Sequence, residues 1–414
     1  MVKPPLTQSQ RHQILDKVLE LIERKHFNPA FARSADWPSA LDQIRERIGN
    51  GVTEENFEDQ LNSALAQLGT SHTLLFHSDA KRVQDRYAIC ATFMTAGTQW
   101  MFQDVFEGGP AHAAGMEPGD LLLAVNGYPV SPPTKLCFRM GEANTLKVEK
   151  RDGTQTTTNV QIPRPRYRHH RPMCLPKLIS CRRIAPDIGV IRVTFFRGPF
   201  GLHISRQLDT AIEELADCRR LIVDLRGNYG GGVGCFRLAG YFTPDSVPVG
   251  YSLSRTLLRR GQSYDKQTFP RYTKIPATRW EVVRTVLRYA RVDKSIVYMT
   301  EGLGPRRFHG RMVLLVNEYT SSASEIVAGF VSRNHLAPVL GTQTAGELLG
   351  GFTFKVGHGY FLRLPTGAFC LWEGDEVLDG KGVTPDVIEP CSPEALRSGV
   401  DNQLEKAVEL VTGL

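Results

Sequence analysis

Three short apolar runs, Ile188–Val193, Arg220–Leu225 and Arg311–Val316, constrain this chain more than any other feature of it. Continuous runs of this kind read as strands buried on both faces. Residues at helical spacing lie among them, over Ile204–Leu215 and again over Ile326–Val331. That alternation implies an α/β core with crossover connections. No fixed-period repeat competes with this reading. The third run leads into Asn317-Glu318-Tyr319-Thr320-Ser321-Ser322-Ala323-Ser324-Glu325-Ile326, which places Ser322 at a strand-to-helix junction. A hydroxyl presented there lies beside the first N–H groups of a helix, whose dipole favours developing negative charge. The geometry suits a serine nucleophile. The spacing Ser322-x-x-Glu325 also fits a capping box, which needs no chemistry.

The remainder of the chain divides by texture. Residues 8 to about 70 read as helical, with Ile14, Val18, Leu19 and Ile22 and then Phe57, Leu61, Leu65 and Leu68 at helical spacing. Pro29, Pro38, Gly49 and Gly51 punctuate these segments. From about 86 to 163 short strands and turns take over. Ile162–Pro172 is a basic, proline-rich connector, and its pair His169–His170 has no carboxylate nearby and does not read as a metal site. Three units are expected: an N-terminal helical domain over 1–84, a strand-rich domain over 85–163, and the α/β core over 164–414.

Composition excludes some classes. With 41% apolar and 22% charged residues, the chain is ordinary for a soluble protein, and no apolar stretch is long enough to span a membrane. Met1-Val2-Lys3-Pro4-Pro5 opens no signal-peptide core. The expectation is therefore a cytoplasmic protein, or a periplasmic or secreted one if a leader has been removed. The eight cysteines are scattered without zinc-site spacing and read as reduced, mostly buried thiols. No metal and no cofactor is expected. Net charge is +7, and the excess is concentrated: residues 251–311 hold fourteen Lys and Arg against four Asp and Glu. Such a run is either a solvated face or a surface for an acidic partner. No nucleic-acid-binding motif accompanies it.

A second motif, Asp224-Leu225-Arg226-Gly227-Asn228-Tyr229-Gly230-Gly231-Gly232, ends a strand in a glycine-rich turn. Glycines there let backbone N–H groups approach a ligand closely. An oxyanion hole is one use, with donors from Gly230, Gly231 and Ala323; a phosphate cradle and a plain tight turn are the others. Asp224 and Arg226 read as structural, holding that turn. Taken with the Thr320–Ile326 motif, this segment resembles the carboxyl-terminal-processing (tail-specific) serine peptidase family. Gly109-Pro110-Ala111 and Ala114-Gly115-Met116-Glu117-Pro118-Gly119-Asp120-Leu121-Leu122-Leu123-Ala124-Val125-Asn126-Gly127 look like the middle of a PDZ domain, which that family inserts before its core. The resemblance covers nearly the whole chain. It implies a crotonase-like, tail-specific-protease α/β core with an inserted PDZ-like β module and an N-terminal helical segment.

The common members of that family use a downstream lysine as general base. Aligning Gly341-Thr342-Gln343-Thr344-Ala345-Gly346-Glu347 with them puts Glu347 where the lysine would stand, and a carboxylate is a poor base toward serine. Lys355 falls within an expected strand. Gly69-Thr70-Ser71-His72-Thr73 instead resembles the Ser-His pair of the tricorn-type core proteases. That resemblance implies His72 as base, Ser71 beside it, and a distant acid at Asp379, where the family usually carries glutamate; Glu373 competes for the role. An unperturbed imidazole titrates near neutrality, as a base toward serine requires. The expected activity is a serine endopeptidase with Ser322, His72 and Asp379 assisted by Ser71, acting on a peptide or unfolded protein captured by the PDZ-like module. Two rivals are an inactive peptide-binding scaffold and acyl-thioester chemistry on the related crotonase-like fold. A homo-oligomer stays open.

Overall fold

The computed structural model describes residues 6–28, 42, 43, 45, 46, 54–78, 82–164, 172–260, 263–289 and 295–413. Pro29, Pro38, Gly49, Gly51 and the pair His169–His170 fall outside them. The three apolar runs form the middle of a six-stranded sheet. Its order is Ile179–Ala185, Ile188–Val193, Arg220–Asp224, Arg311–Val316, Val339–Gly341 and Val387–Ile388. The first pair is antiparallel and the remainder parallel. Both faces are covered, which is why the strands are apolar throughout rather than alternating. Val190, Ile222, Val313 and Leu315 pack beneath Ala407 and Val411 of the C-terminal helix Asn402–Gly413. Leu221, Val223, Leu314 and Val316 face Ile204, Leu208, Leu238, Val327 and Val331 on the other side.

A second sheet gathers distant segments. The long strand Tyr360–Leu371 pairs with Leu74–His77, Gly350–Gly357 and Pro248–Ser254. The helices Gln8–Lys25 and Glu54–Ala66 share one apolar core with this sheet, in which Ile14, Leu15, Val18, Phe57 and Leu61 meet Leu75, Tyr360, Leu362 and Leu364. Burying each such side chain contributes about 1.5–3 kcal/mol before entropy is charged against it. The start of the chain is thereby fastened to a strand far downstream, Tyr360–Leu371, and the Ser71–His72 turn with it.

Between Leu74–His77 and Ile179–Ala185 in the chain lies an antiparallel β module. Its sheet runs Ala91–Ala96, Gln99–Val105, Leu121–Val125, Ala143–Glu149 and Gln155–Gln161, with the short helix Pro110–Ala113 at one end. Its core of Phe93, Phe102, Phe106, Leu122, Leu146 and Val160 also takes in Tyr229, a residue of the glycine-rich turn. The module is packed directly on that turn.

Candidate active site

Adjacent parallel strands carry the two motifs, with Asp224 opposite Leu315. Both strands end in turns whose polar residues are buried and bonded to each other. Asn317 Oδ1 accepts the N–H groups of Gly227 at 2.8 Å and Tyr319 at 3.1 Å. Thr320 donates its hydroxyl to Leu225 O at 2.9 Å. Ser321 N–H reaches Asn228 O at 3.1 Å. Polar groups at this depth are tolerated only when paired, and here the pairing fixes the two turns against each other.

Ser322 follows with φ 59° and ψ −120°, directly before the eleven-residue helix Ala323–Arg333. A non-glycine residue in such a conformation costs on the order of 1–3 kcal/mol and persists only where its surroundings enforce it. The buried Glu325 does much of the enforcing. Its carboxylate accepts Ser322 N–H at 2.8 Å, Thr344 Oγ1–H at 2.7 Å, Gly346 N–H at 2.7 Å and Glu347 N–H at 2.9 Å. Burial pushes this carboxyl above its usual range, and the four donors pull against that shift. Ser322 itself is half-buried between the buried Ser321 and Ala323, so its side chain sits at the surface of the turn.

The glycine-rich turn comes up against it. A Cβ at Gly230 would stand 2.5 Å from Ser322 Cβ and 2.8 Å from Ser321 O, with φ at +80°. Only glycine permits that approach. The Gly230 N–H, offered by the sequence as an oxyanion donor, donates instead to Asn228 Oδ1 at 2.7 Å. The Asn228 side chain closes this turn on itself. Gly231 N–H and Ala323 N–H meet no acceptor among the described residues. Asp224 and Arg226 form a buried pair, Arg226 Nη2 to Asp224 Oδ2 at 2.8 Å, and hold the base of the turn.

His72 also has positive φ, 58°, in the turn before strand Leu74–His77. It lies against strand Gly350–Gly357, where a Cβ on Gly351 would come within 3.1 Å of its own. Asp379 Oδ2 faces Ser71 N–H at 3.4 Å, and its Oδ1 accepts Leu348 N–H at 2.9 Å. Ser71 Oγ accepts Leu349 N–H at 3.2 Å. Three consecutive amides, of Glu347, Leu348 and Leu349, thus join Glu325 beneath the serine, Asp379 and Ser71. Ser322 and Asp379 are linked through this segment rather than by a direct bond among the described residues. Glu373 is exposed on the turn Glu373–Asp375, and Lys355 is exposed on its strand. No described cluster of His, Cys, Asp and Glu could hold a metal ion.

Two participants had escaped the sequence. The Ser322-x-x-Glu325 spacing gave a signal for Glu325 as a cap, but not for its grip on residues 344–347. Arg86, in the β module, donates from Nη2 to Ser321 Oγ and from Nη1 to Tyr319 O, each at 2.9 Å. Its guanidinium stands 4.8 Å from the centre of the Tyr229 ring. Nothing around position 86 announces a contact with position 321.

An enforced serine at a helix N-terminus, with a glycine turn pressed on it, is the kind of strand-turn-helix arrangement in which serine hydrolases present a hydroxyl. Residues 187–388 match peptidase family S41, and residues 102–150 match the PDZ domain. Residues 187–388 thus form a core of peptidase family S41, a family of serine-type hydrolases, and the chain carries a PDZ domain before it. Tricorn protease homolog 1 of Streptomyces coelicolor is 23% identical over 94% of this chain and 34% of its own length. A carboxyl-terminal-processing protease of Picosynechococcus is 25% identical over 74% of this chain and 65% of its own. The chain thus spans about a third of the first and less than two thirds of the second. The solved structure of mature CPAF complexed with lactacystin shares the fold, with a TM-score of 0.61 at 13% identity over 98% of this chain and 99% of that one.

Proposed function

We propose that the chain is a serine endopeptidase in which Ser322 attacks a peptide carbonyl. The observation that carries this reading is the backbone of Ser322, held at φ 59° and ψ −120° at a helix N-terminus by a buried carboxylate. In this mechanism His72 accepts the hydroxyl proton as the C–O bond forms and returns it to the leaving amine. Asp379 and Ser71 hold the histidine turn. The tetrahedral oxyanion takes hydrogen bonds from Gly231 N–H and Ala323 N–H, with Gly230 admitting the backbone close to the serine. Water then hydrolyses the acyl-enzyme by the same path in reverse order of groups. A peptide substrate suits the PDZ domain, because Ala91–Ala96 ends its sheet and an extended chain can add to such an edge. Tyr319, three residues before the nucleophile, donates its hydroxyl to Phe93 O of that strand at 2.6 Å, so a strand added there runs close to Ser322.

A fluorophosphonate probe tests the reading. Labelling is expected in the unaltered chain, to vanish in Ser322→Ala and to slow by a factor on the order of 10²–10⁴ in His72→Ala, the usual contribution of a general base. Glu347 at the position of the family's lysine favours the rival scaffold. Peptide binding without labelling under any condition is the result that establishes it.

A further inference from the structure

The basic segment noted in the sequence is not used by the proposed chemistry. Its helix Arg279–Tyr289 buries no side chain completely. The side toward the protein is held by polar contacts: Glu281 accepts Ala277 N–H at 2.6 Å, and Tyr289 donates its hydroxyl to Arg271 O at 2.8 Å. The opposite side is apolar. Trp280 is 77% exposed, Leu287 68% and Val283 47%, and at one hundred degrees per residue the three form a single outward stripe with Val286 beside it. Arg284 and Arg288 flank the stripe on one side and Arg279 on the other. None of these three guanidiniums has an ion-pair partner among the described residues.

We infer that this helix is a docking surface for an anionic lipid membrane, on which it lies flat with Trp280, Val283 and Leu287 in the interface. Apolar side chains outermost, with arginines on both flanks, suit a surface that offers hydrocarbon below and negative headgroups beside it. The tryptophan ring and the guanidinium stems are well accommodated at that depth. A second copy of the chain is a poor occupant, because packing two such helices together brings arginine rows against each other. The stripe is also small: the helix is about 16 Å long, and four side chains fall short of the roughly 800 Å² per partner of a stable protein interface. Excess charge across residues 251–311 adds attraction at longer range. No described helix is long and apolar enough to cross a membrane.

The test is co-sedimentation of the full chain with vesicles of phosphatidylcholine alone and of phosphatidylcholine with phosphatidylglycerol. Binding is expected only to the anionic vesicles, and it weakens as salt is raised. The double variant Trp280→Ala/Leu287→Ala should lower partitioning by on the order of tenfold or more. Arg284→Gln and Arg288→Gln should each lower it by about fivefold. Trp280 emission should shift to the blue on anionic vesicles, a shift absent from Trp280→Ala. All four positions are exposed, so unchanged melting temperatures and Ser322 labelling will show that the variants stay folded. Failure to bind anionic vesicles, or binding indifferent to the double variant, overturns the inference. So does self-association without vesicle binding that Trp280→Ala abolishes, which assigns the stripe to a second copy.

Discussion

Ser322 stays in its unfavourable backbone region because two neighbours leave it no other. Gly230 is the first. Gly230→Ala would force a Cβ to within 2.5 Å of Ser322 Cβ at a φ of +80°, and the turns must separate to admit it. We expect probe labelling of Ser322 to fall by at least about 10²-fold, comparable to losing an oxyanion donor. Glu325 is the second. Glu325→Gln keeps the shape but exchanges an acceptor oxygen for an NH₂ group, which then opposes N–H or O–H donors that the carboxylate satisfied. Each buried donor left unpaired costs about 1–3 kcal/mol. Denaturant unfolding should therefore show a loss of a few kcal/mol, with labelling slowed as well.

At the scale of elements, the Ser322 turn is clamped between the α/β core and the PDZ domain. Tyr229 leaves the glycine-rich turn to enter the PDZ core and donates its hydroxyl to Arg86 O at 2.7 Å. Arg86 answers with its bonds to Ser321 and Tyr319. Arg86→Ala should lower the melting temperature, because it strands buried acceptors and empties the space over Tyr229. It should also slow Ser322 labelling measured well below that temperature, which a purely global loss of stability would not do. The elements themselves were legible: strand Arg311–Val316 and the helix after Ser322 follow from apolar runs and periodicity. Their mutual clamping was not, because side-chain pairs such as 86 with 321 leave no trace in local pattern.

Over the whole molecule, Arg226 ties the core to its C-terminus. It bonds Asp224 and reaches both oxygens of Asp401 at 2.8 Å. Burial pushes Asp401 up, but the charge and hydrogen bonds of Arg226 outweigh it and hold the carboxyl at about 2, below its ordinary 3.8. A folded-state value depressed in this way gives stability that is full above about pH 4 and is lost as pH falls toward 2. Asp401→Asn should therefore be less stable than the unaltered chain at pH 6, with the difference shrinking as acid is added through that window, read from urea midpoints. The other long-range fastening is apolar. Deleting residues 1–28 would uncover Tyr360, Leu362 and Leu364, and light scattering should reveal aggregation of the truncated chain.

The sequence by itself determined the elements whose signals are local: buried strands, the serine at a strand-to-helix junction, the glycine turn, the helical start and the strand-rich module. Periodicity and turn chemistry act over a few residues, so a reader of the chain can follow them. Tertiary structure alone decided which of those pieces meet. Packing of the first helices on Tyr360–Leu371 carries Ser71 to Asp379, across 308 positions. Glu325 and the amides of 346–348 then join that corner to the serine turn. Such bonds depend on where folded surfaces come together, and burial makes them strong enough to hold a strained residue in place.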